Sequence, residues 1–128
     1  MISIENDRLD GFTLGQSKEE TEQQKFDASL YRLEFEEQNG RPVLITVSVR
    51  DIPNFKLNGN EINFNNLEGF LKEENPLVDD YILVFTKYRL TLIPDFKEKL
   101  FAEVLIYDES VKDLYEESYD DYYLNLKE

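Results

Sequence analysis

The chain contains no cysteine and no histidine among its 128 residues. Without cysteine there is no disulfide, no thiolate nucleophile, no zinc–thiolate site and no iron–sulfur cluster, and a reducing compartment suits such a chain. Without histidine, the usual proton shuttle at neutral pH and the commonest nitrogen ligand of zinc, copper and nickel are missing. The usual serine and cysteine triads cannot be assembled, and no serine sits in a Gly-x-Ser-x-Gly elbow. An enzyme is not expected. Long apolar runs are missing as well: the longest, residues 81–85, falls far short of the roughly 20 residues that a membrane-spanning helix needs. The opening MISIENDRLDG has neither a basic start nor an apolar signal core, so a soluble, cytoplasmic protein is expected.

Positive charge is also scarce. Against 14 Lys and Arg stand 28 Asp and Glu, a formal charge of −14. Such a field repels nucleic acid and anionic membrane surfaces and favours a basic protein partner, because net charge acts on encounter rather than on fold. What is plentiful is apolar and aromatic: 41% hydrophobic residues with 9 Phe and 8 Tyr, which is not the composition of a disordered acidic chain. A chain of this length buries enough surface for one core without disulfide or metal staples.

The densest apolar pattern runs from Tyr81 to Tyr107, where strands are expected at 81–85, 88–93 and 101–107 with a polar break at 94–99. Upstream, residues 30–36 alternate, with Tyr31, Leu33 and Phe35 towards one face and Arg32, Glu34 and Glu36 towards the other. Asn39-Gly40 then predicts a hairpin to a strand at 43–49 whose Val43, Ile45, Val47 and Val49 share a face. Ser17 with Glu20 reads as a capping box opening a short helix at 18–25, with Phe26 closing over the core. Residues 50–56, containing Pro53, read as a connection. Asn65 is the expected cap of a second helix in which Leu67, Phe70 and Leu71 form one apolar stripe, ended by Asn75-Pro76.

The two halves read as copies. Leu9-Asp10-Gly11 matches Leu57-Asn58-Gly59, Tyr31-Arg32-Leu33 matches Tyr88-Arg89-Leu90, and each half carries an apolar pair, a helix and then strands. The expected fold is α+β, a single domain spanning 1–128. Two βαββ-like repeats, at about 9–49 and 57–107, form a mainly antiparallel sheet with short helices on one face. A C-terminal helix, with Val111, Leu114 and Tyr115 as its stripe, and an acidic Tyr-rich tail complete it over 108–128.

That last segment holds eight acidic and two basic residues together with four of the eight tyrosines. Tyr115, Glu116, Glu117, Tyr119, Asp120, Asp121, Tyr122 and Tyr123 are the candidate partner-binding residues: carboxylates meet Lys and Arg, and tyrosine rings supply stiff contact area. The bland alternative is a solvated tail whose rings fold back on the core. Other motifs fail. Acidic pairs at Asp79-Asp80, Asp120-Asp121, Glu36-Glu37 and Glu116-Glu117 follow from composition, and neighbours on a strand face opposite ways, so no metal site is expected. A calcium loop over 54–65 would have Lys56 and Asn65 at ligand positions. Gly11 and Gly15 lack the Lys-Ser/Thr of a phosphate loop, and no cofactor is expected.

The order Gly-Phe-Thr-Leu-Gly-Gln-Ser-Lys-Glu-Glu at 11–20, a hairpin, and a second unit ending in Tyr88-Arg89-Leu90-Thr91-Leu92 and Val104-Leu105-Ile106-Tyr107 resembles small bacterial proteins built from tandem α/β repeats. Several of these are immunity proteins of polymorphic or contact-dependent toxin systems, and the likeness covers most of residues 9–115. It implies a cytoplasmic inhibitor that binds a cognate toxin domain, often a nuclease with a basic active site, and blocks it. Two other readings stand beside it: a phage-type nucleic-acid mimic that inhibits a restriction or CRISPR nuclease, and a small enzyme with a pocket lined by Tyr31, Tyr88 and paired carboxylates.

Overall fold

A computed structural model of the chain describes residues 1–117 and 121–127. Its first strands are short because polar residues able to take a positive φ interrupt them. β1 (Ser3–Glu5) turns through Asn6 and Asp7 into β2 (Arg8–Leu9), and Asp10 then leads into β3 (Phe12–Thr13). α1 (Lys18–Glu22) is shorter than the 18–25 expected. Thr21 is its one buried residue and its last turn holds no basic side chain, so neither packing nor the helix dipole extends it. The Ser17 half of the expected capping box forms, its hydroxyl accepting from the Glu20 N–H at 3.1 Å. Ser17→Ala should therefore cost about 1 kcal/mol, read from the urea unfolding midpoint.

β4 (Arg32–Gln38) and β5 (Arg41–Ile52) form the expected hairpin through Asn39 and Gly40, at φ 53° and 80°. The shared face of the second strand is broken. Glu34 pairs with Thr46 but Phe35 with Leu44, leaving Ile45 as the extra residue of a bulge. Leu44, Val47 and Val49 consequently enter the main core, while Ile45 packs on the opposite side of the sheet.

The expected connection at 50–56 is a further correction. Pro53 ends β5, and β6 (Asn54–Leu57) pairs at once with β7 (Asn60–Asn63) through Asn58-Gly59, at φ 51° and 84°. α2 (Leu67–Glu74) buries Leu67 and Leu71, and the Phe70 ring stacks on Phe85 at 4.9 Å. Its cap is Asn66 rather than Asn65, and the helix stops at Asn75 in the left-handed region before Pro76. Then follow β8 (Leu77–Asp79), β9 (Ile82–Phe85), β10 (Leu90–Asp95) and β11 (Leu100–Tyr107). Pro94, expected in a polar break, lies inside β10 where a bulge shifts the register. A 3₁₀ turn (Glu109–Val111) leads into α3 (Lys112–Glu116), and β12 (Asp121–Tyr122) precedes a 3₁₀ segment (Tyr123–Lys127).

The strands divide between two sheets where one was expected. The smaller runs β3-β2-β1-β6-β7, in which β1 and β6 are the single parallel pair; the larger runs β12-β8-β9-β10-β11-β5-β4, antiparallel throughout. Ile4, Leu9, Phe55 and Ile62 of the smaller sheet share one core with Val47, Leu92, Phe101 and Val104 of the larger, and α2 adds Leu67 and Leu71. An ion pair from Arg89 to Asp7 links turns of the two sheets. β11 is buried on both sides, sending Val104 and Ile106 into this core and Leu105 and Tyr107 into a second cluster beneath α3. The molecule is thus a single α+β domain, mostly strands with few short helices. No helix among the described residues is long and apolar enough to cross a membrane.

Candidate functional site

Tyr107 anchors the candidate surface from below. It ends β11 with no solvent exposure, and the Tyr115 ring lies parallel on it at 4.5 Å between centroids. Its hydroxyl donates to a Glu116 carboxylate oxygen at 2.9 Å, which aims that carboxylate from the helix. Burial and the neighbouring Glu116 hold the Tyr107 hydroxyl well above the ordinary tyrosine range, so it donates throughout the physiological window. Burial, then the carboxylates of Glu34 and Glu103, push the Tyr115 hydroxyl up as well. Asp108 opens the 3₁₀ turn that leads into the helix, its side chain accepting from the Ser110 N–H at 3.2 Å. Of the expected stripe, Val111 is buried and Tyr115 half-buried, but Leu114 is 76% exposed and is corrected to a surface residue.

The end of the chain is held to the sheet edge. Asp121 and Tyr122 pair with Val78 and Leu77, the Tyr123 N–H donates to the Pro76 carbonyl at 2.8 Å, and the Leu124 N–H donates to Asn75 Oδ1 at 2.9 Å. Tyr123 packs on the main core, whereas Asp121 and Tyr122 are exposed. Tyr119 and Asp120 lie outside the described residues. Of the sequence-predicted set, Tyr115 and Glu116 therefore sit together on Tyr107, Glu117 is exposed at the end of the helix, and Asp121, Tyr122 and Tyr123 lie along β8.

The register brings in residues that the sequence did not single out. Asp121 opposite Val78 stands one step from the Asp79-Asp80-Tyr81 turn, all three exposed and Tyr81 by 68%. Acidic residues and exposed rings from two separate segments thus meet at one sheet edge. Neither segment alone announces this, because a two-residue strand leaves no periodic signal.

Comparison with known proteins finds no matching family model, no matching curated protein and no matching solved structure. Tyr31 and Tyr88, invoked for a Tyr/Asp enzyme, line different cavities of about 500 and 530 Å³. Tyr31 donates to Asp10 at 2.5 Å and Tyr88 to Glu74 at 2.7 Å, and burial followed by these carboxylates pushes both hydroxyls up to about 12. Neither ring serves as a base at neutral pH. Among the described residues no three acidic side chains gather as a cation site.

Proposed function

We propose that this protein is an inhibitor that binds a basic protein partner and occludes it, rather than a catalyst. The partner that the sequence resemblance favours is a cognate toxin domain, nuclease in character, neutralised in the cytoplasm of the cell that makes both. One observation carries the reading: the acidic and aromatic residues of the C-terminal segment sit on backbone that is already paired or stacked. Tyr115 and Glu116 are fixed on Tyr107, and Asp121 and Tyr122 on β8. A surface ordered before binding loses little entropy on docking, and its charge accelerates encounter with a cationic partner. An internal duplication belongs to the same reading, supported by the order of hairpin, helix and hairpin in β2-β3, α1, β4-β5 and, with β8 and β9 inserted after the helix, in β6-β7, α2, β10-β11.

The test is co-expression with the product of the adjacent reading frame. Protection of cells from that product, and a complex whose association slows with added salt, are the expected results. Glu117→Lys with Asp121→Lys, both exposed, should slow association about tenfold at low ionic strength. Unprotected cells, or association indifferent to both salt and charge reversal, would remove the proposal.

A further inference from the structure

The edges of the two sheets are unequally closed. Of the four outer strands, β3 and β12 have two residues each, β7 has four, and β4 has seven. Among the described residues no strand or loop hydrogen-bonds the backbone on the outer side of β4. Such an edge is a template for another strand unless its side chains forbid it.

The side chains of β4 forbid one kind of strand and invite another. Glu34 and Glu36 are exposed on one face, opposite Thr46 and Val43 of β5, which carry no charge. Among the described residues no ion pair includes Glu34, Glu36 or Glu37. A second copy of this chain docked antiparallel about Phe35 would lay Glu34 against Glu36 twice, and one docked about Glu34, although it brings the exposed Arg32 of the same face against Glu36, would set Glu34 on Glu34; like charges directly opposite destabilise a sheet. A strand alternating lysine with apolar residues does the reverse. Its cations face Glu34 and Glu36, and its apolar side chains extend over Leu33 and Phe35, both only partly buried in the main core.

We propose that β4 is an acceptor edge to which a basic partner adds an extended strand, so that backbone pairing supplies affinity and the glutamates select lysine or arginine. This inference rests on the reading of a basic partner and adds the manner in which it is held. The probes are two synthetic peptides as long as β4, one alternating lysine and valine, the other identical except for a proline at its centre. Both carry the same charge, and only the first can pair as a strand. The first should bind about tenfold more tightly and slow hydrogen exchange at β4 amides that face away from β5, a difference that Glu34→Lys with Glu36→Lys abolishes. Unchanged exchange protection in β5 and β11 shows that the double variant is folded. Equal binding of the two peptides with β4 amides unprotected would overturn the acceptor edge and leave the basic-partner reading standing. Binding of neither would likewise overturn the acceptor edge, whereas the basic-partner reading falls only with the co-expression result.

Discussion

Phe101→Ala should lower the free energy of unfolding by about 3–5 kcal/mol, seen as a fall in the urea midpoint at unchanged slope. The ring has no solvent exposure and meets Phe55 edge-on at 5.2 Å and Phe64 in a stack at 5.0 Å. Phe55 belongs to β6 of the smaller sheet and Phe101 to β11 of the larger, so the deletion opens a cavity where the two sheets are joined. Collapse around it is limited because β11 is pinned on both sides, pairing with β10 and β5. The same substitution at Phe96 supplies the comparison. That ring is 65% exposed and touches only the edge of the cluster, 5.7 Å from Phe64, so its loss should cost less than about 1 kcal/mol. Equal costs at the two positions would mean that the sheets are not held together at this junction.

Much of the scaffold is legible in the sequence because short-range chemistry dictates it. Asn39-Gly40 must turn, Ser17 must cap, and Asn75-Pro76 must end α2, each for reasons confined to a few neighbouring residues. The missed features depend on partners distant in sequence. Alternation in β5 predicts one face for Val43, Ile45, Val47 and Val49, but the pairing with β4 inserts a bulge at Ile45 and sends it to the other side. Proline at 53 and 94 argues against strands, yet β6 begins immediately after the first, and β10 absorbs the second at a register shift. The division into two sheets turns on β1 pairing with β6 in parallel over only two partnered residues, a contact with no local signature. The candidate surface is legible to the same extent. Composition alone marks the acidic, tyrosine-rich end, while the contribution of Asp79, Asp80 and Tyr81 requires the pairing of β12 with β8.

Alkaline solution should unfold this protein steeply, and Tyr107→Phe should flatten that limb. In the unfolded chain a tyrosine ionises near its ordinary value of about 10, whereas folded Tyr107 keeps its proton to well above the ordinary range. Below about pH 10 both states hold the proton and the group adds no pH dependence. Above that value the unfolded state binds fewer protons than the folded one, so stability falls as pH rises, by about 1.4 kcal/mol per unit for this group. Tyr31 and Tyr88, pushed up to about 12, act in the same direction between their ordinary value and that pH, but both are partly exposed and solvent screens their share. In the Phe variant the loss of the hydroxyl bond to Glu116 costs about 1 kcal/mol at neutral pH. Its stability should then decline more slowly, so that the two curves approach and cross on the alkaline side; parallel curves would show that Tyr107 ionises alike in both states.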